Sequence, residues 1–217
     1  MASKPASNPS SGPSHLPDWE EDSPELRKNL REAFDIVSVL AKLREGVFAG
    51  QMSVLHTIVM SGLTSPFPGM EGVFRGETGL DTIEVAIGDY PGVLAVHVGS
   101  ELDTLFRDLN TALDTLDIAM PRGQLPNASE LGAVLDLCAF AHAEWIRIHP
   151  FANGNGRTAR LLANLLAMRY GLPPFVRLRP RPGGEPYARA GEAAMRGDWV
   201  PTVTVFQSML AQTLDAA

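Results

Sequence analysis

The residues that could do chemistry lie close together in the run from His149 to Arg160. His149 supplies an imidazole, which suits a general base because its ordinary pKa lies near working pH. Gly154 and Gly156 permit a tight turn whose backbone amides can face an anion. Arg157 and Arg160 are three positions apart, so their guanidinium groups would lie on nearly one helix face. The run therefore predicts a site that binds a polyphosphate beside a base.

Two predicted helices flank this run and must position it. Apolar residues recur every three or four positions from Ser129 to Ile148, which predicts a long helix with one buried face. Pro150 ends that helix, because it disfavours helical geometry in the residue before it, and His149 is left at the helix end. A second apolar pattern from Arg157 to Tyr170 predicts a helix that closes before Gly171. The glycine turn would thus feed a helix N-terminus, which attracts anions.

The run resembles the signature of the Fic family, which reads His-x-Phe-x-(Asp/Glu)-Gly-Asn-Gly-Arg-x-x-Arg. Seven of the eight fixed positions match, and outside the run the agreement, from about Met52 to Leu214, is one of pattern. The resemblance implies an all-α fold, a Fic-type helical domain with one short β-hairpin, the flap, beside the active site. It also implies a protein adenylyltransferase that moves AMP from ATP to a Ser, Thr or Tyr hydroxyl of a target protein and releases diphosphate.

Carried over by position, the resemblance gives each residue of the run a role. His149 would take the proton from the target hydroxyl, and Phe151 would pack into the core and aim the loop. Arg157 would hold phosphate charge during transfer, and Arg160 would grip the γ-phosphate. The residues implied to bind ATP are Gly154, Asn155, Gly156, Arg157 and Arg160.

Asn153 is the one departure from the signature, since the family usually has there a carboxylate that binds Mg²⁺. An amide carbonyl can supply an oxygen ligand but not the negative charge that a hard cation prefers. We therefore expect Mg²⁺ to accompany the co-substrate ATP, with weak binding at Asn153 or with the nucleotide phosphates as its main ligands.

Three functions stay open at this point. Doc-type kinases, which transfer the γ-phosphate, carry Ala and Lys where this chain has Gly154 and Gly156, so the glycines favour nucleotidyl transfer. Phosphocholine transfer occurs in the superfamily with a similar loop and ranks low. The alternatives to protein AMPylation are a Fic-type transferase that acts on a small molecule or moves another phosphate-containing group, and a non-catalytic module that binds a nucleotide or a partner.

Two β-rich runs, Thr82–Ile87 and Gly92–Val98, predict the hairpin. The preceding Gly72–Arg75 resembles the family's lead-in to the flap, which would pair by main-chain hydrogen bonds with an extended segment of the target protein. An ordinary hairpin that covers the core is an equally good interpretation of the strands. The predicted docking residues are Thr82, Ile83, Glu84 and Val85.

Glu45 is a candidate inhibitory residue within a predicted helix from about Pro24 to Phe48. The family carries an inhibitory (Ser/Thr)-x-x-x-Glu-(Gly/Asn) helix whose Glu pairs with the second signature arginine, here Arg160. The chain has the Glu-Gly step but Ala41 at the first position, and a solvated glutamate is the favoured interpretation. The family alternative is a separate antitoxin protein, with this chain as the toxin of a toxin-antitoxin pair.

The domain organisation follows from composition. Residues 1–18 are rich in Ser and Pro with few apolar residues, which predicts a disordered leader. Residues 19–217 are predicted to form a single Fic-type domain, with 19–51 as an N-terminal helical extension and 52–214 as the core. The chain has 217 residues and is 45% hydrophobic, enough for one sizeable core.

Charge and composition also exclude some partners. A net charge of −7 argues against a nucleic-acid partner. With no apolar run of transmembrane length, no signal-peptide core after Lys4 and one cysteine, we expect a cytoplasmic protein with no membrane partner. His142 lies seven residues before His149 and could share a metal with it, but a hydrogen-bonded core histidine is favoured. His56 and His97 show no partner in the sequence, and the oligomeric state is left open.

Overall fold

The computed structural model of the protein describes residues 23–64 and 69–216, so the predicted leader lies outside the described residues. In these two ranges the chain forms seven helices and one two-stranded hairpin, which confirms the predicted all-α fold with a short hairpin. The helices are α1 Pro24–Leu43, α2 Ala49–Met60, α3 Val98–Ala119, α4 Ala128–Ile148, α5 Asn155–Arg169, α6 Glu185–Ala194 and α7 Val200–Asp215. The antiparallel strands are β1 Ala86–Ile87 and β2 Tyr90–Pro91, and a 3₁₀ turn over Ala95–His97 leads into α3.

Helix α5 is the centre of the fold. Thirteen of its residues are buried, and α4 and α1 are its main neighbours. A helix that is enclosed on nearly every side must bury its polar residues as well as its apolar ones. The arginines and the asparagine of α5 therefore need partners inside the protein or from a ligand.

Local sequence sets both ends of α4 and the start of α5. Asn127 caps the start of α4, because its side chain accepts hydrogen bonds from the amides of Ser129 and Glu130. At the other end of α4, His149 adopts a left-handed conformation with φ 52° and ψ 57°. Gly154, with φ 79°, begins α5. Two left-handed residues thus bracket the loop that carries the signature.

The first predicted strand is too long and the second is misplaced. Only the last two residues of the Thr82–Ile87 run are in a strand. No residue of the Gly92–Val98 run is in one, because β2 lies just before it and the run itself ends in the 3₁₀ turn and the first residue of α3. Val98 is fully buried there, one turn before buried Leu102, so burial on a helix face outweighs the β-propensity of the valines. The turn between the strands is tight, since only Gly88 and Asp89 separate them.

Helix α1 also ends earlier than predicted, at Leu43 rather than near Phe48. Arg44 adopts a left-handed conformation with φ 50°, which cannot continue a right-handed helix. Glu45 therefore lies in the loop after α1 and not on a helix. Helix α1 packs against both α2 and α5, so the predicted N-terminal extension is part of the same packed unit.

Candidate active site

His149 is held as a neutral base at the end of α4. Its backbone N–H donates to the carbonyl of Trp145 at 3.0 Å, and its ring Nδ1 lies 3.2 Å from the carbonyl oxygen of Ile146. A carbonyl can only accept, so Nδ1 carries the proton in this hydrogen bond and Nε2 keeps a lone pair. The free lone pair is on the nitrogen that a reacting hydroxyl would need.

Burial lowers the pKa of His149 to about 4, and the nearby positive charge of Arg75 lowers this pKa further while the hydrogen bond to Ile146 opposes both. The imidazole is therefore uncharged at neutral pH. A general base must be unprotonated before it acts, so this environment keeps His149 ready at the expense of its basicity.

Asn155 closes the loop after His149. Its Oδ1 accepts from the amide of Phe151 at 2.8 Å, and its Nδ2 donates to the carbonyl of the same residue at 2.7 Å. The ring of Phe151 is fully buried and stacks on the ring of His56, with the ring centres 3.7 Å apart. The loop is thus fixed from within and from α2.

His56 is the site residue that the sequence did not predict. Its Nδ1 accepts from the amide of Gly72 at 2.8 Å, so its Nε2 carries the proton and donates to the carbonyl of Asn153 at 3.0 Å. Burial is the main cause that lowers the pKa of His56 to about 4. His56 supports the anion loop as a neutral donor. Neither Asn153 nor Gly72 is near it in the sequence, and so no local pattern pointed to the pair.

The surroundings of Gly154 and Gly156 leave little room for a side chain. A Cβ on Gly154 would lie 3.0 Å from His56 Nε2, and the φ of 79° already disfavours any other residue. A Cβ on Gly156 would lie 3.2 Å from Arg160 Nη1. Gly154 therefore lets the backbone pass close to His56, and Gly156 leaves room for the Arg160 side chain.

Arg160 is a buried cation that the protein only partly satisfies. The residue is 4% exposed, its Nη2 donates to the carbonyl of Leu178 at 3.2 Å, and its Nε has no hydrogen-bond partner among the described residues. Arg157 is buried too, with its Nη1 3.5 Å from the sulfur of Met60. A buried guanidinium group is costly without an anion, so a bound phosphate would complete the partners of Arg160.

The signature residues surround one cavity of about 320 Å³. Ile87 of the hairpin and Glu192 of α6 lie on its walls as well. Its lining includes every predicted site residue of the loop and of the first two turns of α5, namely His149, Asn153, Gly154, Asn155, Gly156, Arg157 and Arg160.

Asn153 offers one neutral side-chain oxygen to the loop. Its Oδ1 accepts from the amide of Gly154 at 2.6 Å, so this neutral oxygen is already engaged within the loop. Nowhere in ranges 23–64 and 69–216 do three or more His, Cys, Asp or Glu side chains gather in a way that could hold a metal ion. The donors present do not fit a divalent cation held by the protein alone.

The carboxylate of Glu84 is engaged within the protein. Its carboxylate pairs with Arg75, with Oε2 3.3 Å from Nη1, and accepts from the amide of Ala95 at 3.1 Å. The carbonyl of Ile83 is likewise used by Arg75 at 3.1 Å. All four predicted docking residues, Thr82 and Val85 included, precede β1, so the predicted strand does not extend over them, and their docking role stays a prediction.

Glu45 lies far from Arg160. Its backbone carbonyl accepts from Arg169 Nη1 at 2.7 Å, at the C-terminal end of α5, while Arg160 is in the second turn of the same helix. The structure therefore does not bring the predicted inhibitory contact together.

His142 is a core residue, as favoured: its Nε2 lies 3.1 Å from the hydroxyl of Tyr187, and burial lowers its pKa to about 3.

A loop between two helices that offers a neutral imidazole and two buried arginines to one cavity defines a helical domain built to hold an anion beside a base. The sequence model of the Fic/DOC family matches residues 51–167, and the chain belongs to this family. Among curated relatives, the proteins named protein adenylyltransferase Fic of Drosophila melanogaster and Drosophila persimilis are each 40% identical over 81 residues. That stretch is 37% of this chain but only 16% of each relative.

Solved structures share the fold. A Fic domain containing signaling protein from Bacteroides thetaiotaomicron superposes with a TM-score of 0.63 at 20% identity, covering 88% of this chain and 70% of that one. Fic-1 from C. elegans gives 0.57 at 24% identity, over 87% and 51%. BepC of Bartonella tribocorum, solved with bound AMPPNP, gives 0.51 at 18% identity, over 85% of each chain. None of the helices described for this chain has both the length and the apolar character needed to cross a membrane.

Proposed function

We propose that this protein transfers AMP from ATP to a hydroxyl side chain, Ser, Thr or Tyr, of a target protein and releases diphosphate. The observation that carries the proposal is the pairing of two incomplete groups on one cavity. His149 has an unprotonated Nε2, and Arg160 is a buried cation whose Nε lacks a partner among the described residues. A base without a proton and a cation without its anion together match a hydroxyl that attacks a nucleotide phosphate.

In the proposed reaction the acceptor oxygen attacks the α-phosphorus of ATP. The hydroxyl proton passes to Nε2 of His149, the bond from the α-phosphorus to the bridging oxygen breaks, and diphosphate takes the electron pair of that bond. Arg160 grips the γ-phosphate and Arg157 holds charge on the departing diphosphate, so that the α-phosphorus faces the acceptor. The amides at the start of α5 add the positive end of the helix dipole.

Magnesium enters the proposal only as the companion of the nucleotide. Asn153 supplies no charge, and its oxygen is engaged by the Gly154 amide. We therefore assign the phosphates, rather than a carboxylate of this chain, as the principal ligands of any Mg²⁺ in the site.

The target would dock along the hairpin. Ile87 of β1 lines the same cavity as His149, so a segment paired with the β1 edge would hold its side chain close to the base. Because the observed strand is Ala86–Ile87, we place the docking edge there instead of at Thr82–Val85. Main-chain pairing over so short an edge would select an extended loop with little regard to its sequence.

The test is incubation of the purified protein with ATP and Mg²⁺, alone and with a cell lysate, followed by intact and peptide mass spectrometry. We expect adenylyl groups on Ser, Thr or Tyr that are absent with His149→Ala. His97→Ala is the matched control, because His97 is an exposed histidine outside the cavity. It should label like the wild type.

Other results would redirect the assignment. Nucleotide consumption that depends on His149 but leaves no protein labelled would favour a small-molecule acceptor. ATP binding without turnover would favour a non-catalytic module, for which Asn153 is the supporting feature. Equal labelling by wild type and His149→Ala would remove His149 as the base.

A further inference from the structure

Arg75 is an enclosed cation in the turn between α2 and the hairpin, and its side chain is 0% exposed. One edge of its guanidinium faces the end of α4. Its Nε donates to the carbonyl of His149 at 2.8 Å, and its Nη2 donates to the carbonyl of Ile148 at 3.0 Å. The backbone amide of Arg75 adds a third bond, to the carbonyl of Pro150, at 2.7 Å. Three successive carbonyls around the proposed base are therefore held by one residue.

The other edge of the same guanidinium faces the hairpin. Nη2 also donates to the carbonyl of Val93 at 2.7 Å, and Nη1 donates to the carbonyl of Ile83 at 3.1 Å. Ile83 precedes the first strand of the hairpin and Val93 follows the second, so Arg75 holds the segments on both sides of the hairpin. With Glu84 as the fifth acceptor, at 3.3 Å from Nη1, the number of bonds equals the number of donors in a guanidinium.

The conformation of His149 explains why such a clamp is needed. A non-glycine residue with φ 52° is strained, and the last carbonyls of a helix have no partner within the helix. Arg75 satisfies those carbonyls and brings a positive charge to the C-terminal end of α4, where the helix dipole favours it. Without the clamp the turn could relax and swing the imidazole out of line.

The hairpin passes so close to His149 that the two must move together. A Cβ added to Gly92 would lie 3.2 Å from the Cβ of His149 and 3.3 Å from Arg75 Nη2. The amide of Gly92 also donates to the carbonyl of Val85 at 2.9 Å, which pairs the two legs of the hairpin just beyond the strands. The base and the docking edge thus share one contact surface, with Arg75 behind it.

We propose that Arg75 is a positioning residue, which sets the distance between Nε2 of His149 and an acceptor hydroxyl docked on the hairpin by holding both in one register. This inference rests on the proposed AMP transfer for its kinetic consequence only. Its structural consequence, a fixed orientation and tautomer of the His149 ring, holds whether or not the chain transfers AMP.

The experiment compares Arg75→Lys with the wild type by two measurements. Lysine keeps the positive charge but has a single ammonium group, which cannot span carbonyls on both edges. NMR with ¹⁵N-labelled histidine, assigned by the absence of the signal in His149→Ala, reports the ring tautomer. Steady-state kinetics separates kcat from KM for ATP. Arg147→Lys is the matched control, because Arg147 lies two residues before His149 and pairs with Glu101 and Glu144 rather than with the turn.

For Arg75→Lys we expect the wild-type tautomer, with its proton on Nδ1, to give way to a mixture. We expect kcat to fall about 100-fold, since misplacement by about 1 Å costs about that much in rate. We expect KM for ATP to stay within about twofold, because Arg75 is not among the residues that line the cavity. Arg147→Lys should leave the tautomer and kcat near wild type. Glu84→Gln, which keeps the shape of Arg75's partner and removes its charge, should lower kcat less and in the same pattern.

An unchanged tautomer and an unchanged kcat in Arg75→Lys would overturn the inference, as would an equal effect of Arg147→Lys. If Arg75→Lys fails to fold by circular dichroism, Glu84→Gln decides: a lower kcat with unchanged KM supports the role and no change refutes it. A wild type that transfers no AMP to any acceptor refutes the proposed function alone, and the tautomer comparison then decides the positioning role.

Discussion

The two ends of α5 bury an arginine to the same depth and treat it differently. Arg160 is 4% exposed and Arg169 is 5% exposed. They are nine residues apart, which is about 13 Å along a helix. At the C-terminal end the protein supplies partners for the charge. At the N-terminal end the charge is left largely for something else to satisfy.

Arg169 belongs to a complete network. Its guanidinium pairs with the carboxylate of Asp117 and donates to the carbonyl of Glu45 at 2.7 Å. The hydroxyl of Tyr170 donates to Asp117 at 2.9 Å, and Arg44 lies over the ring of Tyr170, 5.0 Å from its centre. Burial is the main cause that raises the pKa of Tyr170, so this hydroxyl stays a donor. Every group named here has a partner of matching character.

Arg160 has one carbonyl and a bare Nε among the described residues. Desolvation costs the two arginines alike, but only Arg169 recovers that cost from a carboxylate. The difference teaches that burial of a charge does not by itself mark a site. A buried charge whose counter-charge is missing, on the wall of a cavity, does so.

The largest expected effect separates the ends by pH. His56, His142 and His149 all lie on the Arg160 side, and burial is the first cause that lowers their pKa values, to about 4, about 3 and about 4. Because these folded-state values are below the unfolded value of 6.5, the unfolded chain binds more protons between them. The free energy of unfolding should be fully retained above pH 6.5 and fall between pH 6.5 and about 3, the lowest of these pKa values.

We expect each of these histidines to contribute roughly 1–2 kcal/mol of that loss between pH 7 and pH 5. Urea unfolding at a series of pH values measures this loss of stability. His56→Gln should reduce the loss by about the contribution of one histidine. A free energy of unfolding that stays level from pH 7 to pH 5 would show that burial does not keep these three histidines uncharged.

The next effect concerns the C-terminal end of α5, which we call the closed end because Arg169 has its counter-charge there. The N-terminal end, where Arg160 has no counter-charge among the described residues, is the open end. Arg169→Met should lower the free energy of unfolding by about 3 kcal/mol, the lower limit for breaking a buried ion pair, since Asp117 keeps some contact with solvent. ATP affinity, measured by calorimetric titration, should stay within about twofold of wild type. A large loss of ATP affinity with little loss of stability would reverse the assignment of the two ends.

Arg160→Met should behave in the opposite way. Removal of a charge-assisted contact to phosphate should weaken ATP binding about 30- to 100-fold, which is about 2–3 kcal/mol. Because the bare Nε disappears as well, the free energy of unfolding should stay level or rise by about 1 kcal/mol. If Arg160→Met instead unfolds the protein as readily as Arg169→Met does, the two ends are equivalent and the comparison fails.

Asn153→Asp sharpens the description of the open end. A carboxylate beside the phosphates should tighten Mg²⁺ binding in the presence of ATP, and we expect the half-saturating Mg²⁺ concentration to fall about tenfold, about 1.4 kcal/mol. The measurement is a Mg²⁺ titration of nucleotide binding in both proteins. Identical titration curves would mean that position 153 does not contribute to metal binding.

The open end was predictable from the sequence because its parts are contiguous. Pro150 ends α4, Gly154 starts α5, and the helical repeat then places Arg157 and Arg160 on one face without any knowledge of the rest of the fold. The all-α fold as a whole was implied by the resemblance to the Fic family, whereas the separate helices followed from apolar periodicity for the same reason. Local rules act on neighbouring residues, and these features are all local.

The supports of that end were not predictable, since they come from distant segments. His56 meets Asn153 across 97 positions, and Arg75 meets the His149 carbonyl across 74. The strands were misplaced by the same limitation: β-propensity extends the first strand through Glu84 and starts the second at Gly92, but only Ala86–Ile87 and Tyr90–Pro91 pair. Tertiary contacts decide such cases, and they are not encoded in spacing.

Glu45→Gly gives the smallest expected effect and the most direct link between the ends. The side chain of Glu45 is exposed, and only its backbone carbonyl, which glycine retains, contacts Arg169. We expect the free energy of unfolding to change by less than about 0.5 kcal/mol, as for an ordinary surface substitution, and ATP turnover to stay unchanged. Glu45→Gln serves as the control for the added backbone freedom of glycine. A rise in ATP turnover with both variants would mean that the Glu45 side chain restrains Arg160 in solution. The loop that carries Glu45 would then have to leave the C-terminal end of α5 to reach Arg160.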